Sequence, residues 1–193
     1  MSSERYDHSI GAYEKAVELA EKFRLAPHEK EAAAWAALLH DAAKLLPPDE
    51  LMARCEAEGV PLDAMDRATP QTLHPWVGAL LVREEFGITD EDTLNAIRYH
   101  TTGRAGMCLV EKVVYVADKI EGNTRNPLYV QKMTAHLDFQ DPDSLDRTML
   151  YILDSTMQFL MEKKQVIHPR TLAARNDVVT RVREQAGRKP ANV

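Results

Sequence analysis

The spacing of apolar residues constrains this chain more than any other feature. Intervals of three and four recur from end to end, few stretches alternate with period two, and only 8 Gly and 10 Pro interrupt them. This pattern predicts an all-α fold of about eight or nine helices, packed irregularly rather than as a four-helix bundle. Tyr13, Val17, Ala20 and Phe23 mark one face of a helix over residues 7–24. Pro27 opens a second helix, residues 28–45, whose centre AAAWAALLH is apolar nearly all round and is expected to be buried on most sides. A third starts at Pro48 and ends near Gly59. Pro61 and Pro70 bracket an irregular stretch. Further helices are expected at 75–86 with Gly87 as its cap, 90–100 capped by Thr89, 107–121, 128–137, 144–164 and 170–185. There is no repeat, low-complexity segment or long linker, so residues 1–193 read as one domain with a frayed tail at 187–193.

Composition narrows the partners. The 30 Asp and Glu outnumber the 24 Lys and Arg, giving a net charge of −6. An acidic chain without a basic run is ill suited to nucleic-acid backbones or anionic membranes. It can bind a polyanionic small molecule only where local cations or metal ions reverse the field. Cys55 and Cys108 form no disulfide framework and read as reduced thiols. The N-terminal MSSERYDHSIG lacks an apolar signal region, and the longest all-apolar run, residues 32–39, is far short of the ~20 residues a membrane span needs. The expectation is a cytoplasmic protein with no membrane and no nucleic-acid partner, either monomer or homodimer.

The chemistry lies in the histidines. His40 is followed at once by Asp41 on the most apolar helix, His8 begins a helix, His74 precedes one and His100 ends one. Asp118 interrupts VVYVADKI, where an isolated carboxylate is costly to bury. Any one of these has an ordinary structural explanation. Together, on separate apolar helices, they point to a metal site. Neutral imidazole and carboxylate suit Fe, Mn, Co or Zn, and the absence of a nearby cysteine argues against structural zinc. His28 and His136 have polar surroundings and are expected to face solvent.

The order His8, His40-Asp41, Asp118 resembles the HD-domain superfamily of metal-dependent phosphohydrolases. The segments RYDHSIGAYEKAVELA, LLHDAAKLLPPDEL, LHPWVGALLVREEFG, AIRYHTTGRAGM, VVYVADKIE and VIHPRTLAARN together resemble the YqeK-type symmetrical bis(5′-nucleosyl)-tetraphosphatases, over residues 5–176. The resemblance implies a single helical HD domain with an iron-containing, two-metal centre in which Mn or Co can substitute. The implied reaction is hydrolysis of diadenosine tetraphosphate to two ADP by metal-activated water. It also implies that His8, His40, Asp41 and Asp118 hold one ion and that His74 and His100 hold the other, with Asp41 bridging. After VADKIE the chain departs from the family, reading GNTRNPLY at 122–129.

Asp41, Lys44 and Arg104 are the catalytic candidates, and Lys44, Thr101, Thr102, Arg104 and Arg125 the substrate-binding ones. Lys44 lies three residues from Asp41, placed to hold a phosphate oxygen or to snorkel at a helix end. Arg104 beside Gly103 can fork onto a phosphate that the glycine lets approach, or lie on an exposed loop. Thr101 and Thr102 either donate hydroxyls or end a helix. Arg125 and Asn126 either meet the distal nucleotide or stay solvated. His168 reads as part of a helix start, and Arg175 as a helix anchor or a substrate contact. Trp35 and Trp76 sit in apolar helical stretches and read as core. The competing functions are an HD phosphohydrolase for another nucleotide, such as a mononucleotide or guanosine alarmone, and a non-catalytic nucleotide sensor.

Overall fold

A computed structural model describes residues 2–188. They form ten α-helices, nine of them seven residues or longer, and no strand. In order these are α1 Ser3–Lys22, α2 Pro27–Leu39, α3 Pro48–Ala57, α4 Ala64–Ala68, a 3-10 turn Pro70–Leu73, α5 His74–Phe86, α6 Glu91–Tyr99, α7 Leu109–Ile120, α8 Pro127–Met133, α9 Ser144–Glu162 and α10 Pro169–Arg188.

Helix α7 is central. Ten of its twelve residues are buried, and α1, α2, α6, α8 and α9 pack around it. Helix α1 packs on α2 and α7, and most of what α1 and α2 bury in this core is small: Ala12, Ala16 and Ala20 of α1, Ala32, Ala33, Ala36 and Ala37 of α2. Short side chains at a crossing let two helix axes come close. The buried stripe of α1 is therefore Ala12, Ala16, Leu19 and Ala20. It differs from the stripe expected from Tyr13 and Val17, which are 38% and 37% exposed. Trp35 likewise stands 43% exposed, because α2 leaves one flank uncovered; it is not core. Trp76 is half-buried and packs beside a second apolar cluster containing Leu51, Leu73 and Val77.

Several ends differ from expectation for local reasons. Helix α2 stops at Leu39 instead of continuing to residue 45. Beyond it the backbone tightens into i→i+3 hydrogen bonds, Ala42 to Leu39, Lys44 to Asp41 and Leu46 to Ala43. The His40-Asp41 pair thus sits on a tight turn rather than inside a helix. Ser2 caps α1 by accepting from the Arg5 N–H, so α1 begins before residue 7. Asp90, not Thr89, caps α6, accepting from the Thr93 N–H at 2.8 Å. Gly87 ends α5 in the left-handed conformation, as its position predicted. The stretch expected to be irregular holds α4 and the 3-10 turn, with Asp63 accepting from the Met65 and Asp66 N–H groups. Gly187 and Arg188, expected to fray, belong to α10; the rest of that expected tail, residues 189–193, lies outside the described residues. Cys55 is buried, Cys108 exposed, and both are free. No helix among the described residues is long and apolar enough to cross a membrane.

Candidate metal centre

Three histidines share one local device. Nδ1 of His40 donates to the carbonyl of Ala37 at 2.7 Å, that of His74 to Gln71 at 2.6 Å, and that of His100 to Ile97 at 2.8 Å. A carbonyl only accepts, so each Nδ1 carries the proton and each Nε2 presents its lone pair. Each ring closes back over its own helical turn, at the end of α2, the start of α5 and the end of α6. His8, on α1, obtains the same result from a distance: its Nδ1 donates to Oε1 of Glu121 at 3.2 Å.

The four Nε2 atoms point inward in two groups. In the first, His8 Nε2 is 3.2 Å from His40 Nε2 and 3.2 Å from Asp118 Oδ1. His40 Nε2 is 3.7 Å from Asp118 Oδ1 and 3.7 Å from Asp41 Oδ2. In the second, His74 Nε2 is 3.3 Å from His100 Nε2. Both face Asp41 Oδ1, at 3.2 and 3.4 Å. Asp41 turns one oxygen to each group.

Burial and neighbouring charges together set the charge states. Burial drives the His100 ring down to about 3, although Asp41, which would accept from a protonated ring, pulls the other way, and it lowers His40 as well. Burial also opposes ionisation of Asp41, but its contacts with His100 and His74 outweigh it and hold the carboxyl well below the usual range. Asp118 is buried too, yet the Lys119 charge, and the His8 ring that can donate to it when protonated, hold its carboxyl well below the usual range. Imidazole nitrogens and carboxylate oxygens thus converge within 4.8 Å in three overlapping groups of three, with the rings of His40 and His100 held neutral by burial and that of His8 raised by Asp118 beside it. So many acceptors facing one another call for a cation. Nitrogen and oxygen donors without sulfur suit first-row divalent ions. The residues fit the metal site expected of them.

His8, His40, Asp41, His74, His100 and Asp118 all meet at this centre. Lys44 Nζ lies 3.3 Å from Asp41 Oδ1 and 3.2 Å from His74 Nε2. The Thr101 hydroxyl is 3.0 Å from His100 Nε2 and 3.4 Å from His74 Nε2. Arg125 donates to the carbonyl and Oδ1 of Asp118 at 3.0 and 3.1 Å.

Other candidates lie elsewhere. Thr102 is buried and donates to the carbonyl of Gly103. Arg104 forks onto buried Glu111 at 2.7 and 2.8 Å and stacks over Tyr99. Gly103 does allow a close approach, but to α10: a Cβ there would lie 2.9 Å from Ala174 Cβ. Asn126 caps α8. His168 accepts from the Arg170 N–H at the start of α10, and Arg175 pairs with Asp154 of α9. His28 and His136 are exposed, as expected.

The sequence reading missed Glu121, Arg5 and Lys119. Glu121 is fully buried and also accepts from the Asn123 and Thr124 N–H groups and the Thr124 hydroxyl. These bonds outweigh burial and keep its carboxyl below the ordinary value. Its signal was a carboxylate one turn beyond Asp118 on an apolar helix. Arg5, Lys44, Lys119 and Arg125 line an open polar cleft of about 480 Å³ above the first group. An apolar cavity of about 330 Å³ adjoins it at Arg5 and Asp41, lined by Tyr6, Ile10, Leu38, Leu39 and Leu45.

The HD domain family matches residues 5–123. A symmetrical bis(5′-nucleosyl)-tetraphosphatase of Bacillus subtilis is 40% identical over 93% of this chain and 92% of its own length. Its namesake in Halalkalibacterium halodurans is 37% identical over 93% and 91%, and that of Staphylococcus aureus 31% over 91% and 87%. A crystal structure of an HD superfamily hydrolase from Clostridium acetobutylicum, described as involved in NAD metabolism, superposes with a TM-score of 0.85. It is 35% identical and covers 94% of this chain and 92% of its own. With an HD pair seated between two histidine groups and relatives matched over nearly its whole length, the chain belongs to the symmetrical bis(5′-nucleosyl)-tetraphosphatase family of HD-domain hydrolases.

Proposed function

We propose that this protein hydrolyses diadenosine tetraphosphate to two ADP at a two-metal centre. His8, His40, Asp41 and Asp118 would hold one ion; Asp41, His74 and His100 would hold the other. The observation that carries the reading is Asp41, with one oxygen toward each histidine group, at the foot of a polar cleft that Arg5, Lys44, Lys119 and Arg125 share with Glu4 and Asp118. When bound, the ions acidify water and draw charge from phosphoryl oxygens. Iron is the metal that the family resemblance implies, and the imidazole and carboxylate donors suit Mn or Co as substitutes equally well.

The remaining work falls to side chains. Lys44, Lys119 and Arg125 counter the charge of the phosphate chain in an otherwise acidic protein. Thr101 orients groups beside His74 and His100. The apolar cavity under Tyr6 and Leu45 gives a nucleoside a dry surface. Water adds to a phosphorus, the bridging oxygen leaves with the departing ADP, and that ADP takes up the proton. Positioning replaces a covalent enzyme intermediate. The protein acts in the cytoplasm on a small dinucleotide, with no nucleic-acid partner.

The test is product analysis on metal-replete protein with diadenosine tetraphosphate, a guanosine alarmone and NAD as parallel substrates. ADP as sole product supports the proposal. ATP plus AMP means asymmetric cleavage, turnover of only another substrate supports the broader phosphohydrolase reading, and binding without turnover supports a sensor.

A further inference from the structure

Two sequence motifs, HTTGR at 100–104 and IHPRT at 167–171, are only partly absorbed by the metal centre. The structure connects them through a row of stacked side chains. Arg170 of α10 lies over the Trp76 ring, 5.3 Å from its centroid. Trp76 meets Tyr99 edge to face at 5.7 Å, with ring planes 82° apart. Arg104 covers Tyr99 at 4.5 Å. Each terminal arginine is tied to a buried carboxylate. Arg170 donates to Asp66 at 3.3 Å, which also takes the Nε2–H of His168 at 3.2 Å, and Arg104 forks onto Glu111. Asp66 and Glu111 are each 1% exposed.

The position of this row matters. Trp76 lies two residues beyond His74 on the first turn of α5, and Tyr99 immediately precedes His100 at the end of α6. The Trp76–Tyr99 contact therefore spans the two helix ends whose histidines form the second group. Asp66 acts on the same segment from the other side. It lies on α4, which leads through the 3-10 turn to Gln71, the carbonyl that orients the His74 ring. We propose that Arg170, Trp76, Tyr99 and Arg104 form a positioning ladder that sets the His74–His100 separation, with His168 and Asp66 as its anchor. The first group, His8, His40 and Asp118, makes no hydrogen bond or ring stack with a ladder residue; it meets the second group where the His40 ring stands edge-on to His100 at 4.8 Å and through Asp41. The ladder thus touches one half of the centre directly and reaches the other only through His100 and Asp41. This inference rests on the two-ion reading above.

Supporting residues of this kind change metal affinity about 10–100-fold when lost. The experiment titrates metal-free protein with Co²⁺, following calorimetry and visible absorption, and checks folding by circular dichroism. Wild type should take up two ions. Trp76→Leu and Arg170→Ala should weaken one ion about tenfold or more and the other by clearly less. Trp76→Phe and Arg170→Lys should restore most of the lost affinity. Arg175→Ala, which alters α10 at its Asp154 pair instead, should bind both ions normally. Should Trp76→Leu not fold, Arg170→Ala decides, since its side chain is 28% exposed. Folded ladder variants with lower melting temperatures but two wild-type affinities would overturn the proposal, as would equal weakening of both ions. A wild-type protein that takes up only one ion would remove the two-ion reading and the ladder's role with it.

Discussion

Nδ1 of His8 and Oε1 of Glu121 meet at 3.2 Å across 113 residues of sequence, joining α1 to the end of α7. The bond fixes the His8 tautomer, as a carbonyl does for the other three histidines. Two backbone N–H groups and the Thr124 hydroxyl hold the carboxylate in place. Gly11 makes room, since a Cβ there would lie 2.6 Å from Glu121 Oε2. Glu121→Gln keeps the size but removes the charge that makes His8 a better donor to metal. The expected outcome is metal affinity about 10–100-fold lower with unchanged helical content, read by titration and circular dichroism. Gly11→Ala should move affinity in the same direction by displacing the carboxylate.

Asp41 faces both groups, so its loss should be felt by both ions. Asp41→Ala is expected to abolish turnover and to strip metal to near zero on purification, measured by elemental analysis. His74→Ala should lose one ion and keep the other. Retention of full metal and activity by Asp41→Ala would contradict the assignment of the centre.

Lys44 carries a separable duty. Its ammonium is near Asp41 and His74 but opens onto the phosphate cleft, with its side chain 39% exposed. Lys44→Ala should retain bound metal and raise KM for diadenosine tetraphosphate about tenfold, the equivalent of roughly 1.4 kcal/mol. Lys44→Arg should recover part of this. Unchanged KM in Lys44→Ala would return the lysine to a structural role at the chain's turn.

The helical architecture and the ligand-type residues were legible because both are written in local patterns: apolar spacing, and His or Asp where charge is costly to bury. What escaped depends on the third dimension. The end of α2 at Leu39 was hidden because HDAAKLL continues the helical pattern, whereas the backbone tightens to direct His40 and Asp41 inward. Trp35 read as core because periodicity cannot show that α2 has an uncovered flank. Glu121 looked like a helix-end carboxylate until α1 arrived beside it. Gly103 signalled a close approach correctly, but only the fold names the neighbour as Ala174.

Gly103 and Gly87 offer a controlled comparison, since both have φ near +67° but differ in surroundings. At Gly87 a Cβ would meet nothing within 4 Å, so Gly87→Ala carries only the left-handed backbone cost of about 1 kcal/mol. At Gly103 the same cost is joined by overpacking against Ala174 Cβ at 2.9 Å, for a total of about 3 kcal/mol. At roughly 2–4 °C per kcal/mol for a chain of this size, thermal unfolding should show Gly103→Ala melting about 4–8 °C below Gly87→Ala. Adding Ala174→Gly tests the cause. It costs α10 about 1 kcal/mol of helix propensity by itself, yet in the Gly103→Ala background it should relieve the clash. A double-mutant cycle should therefore give a favourable coupling of about 1–2 kcal/mol. Zero coupling would mean that α10 does not rest on this turn.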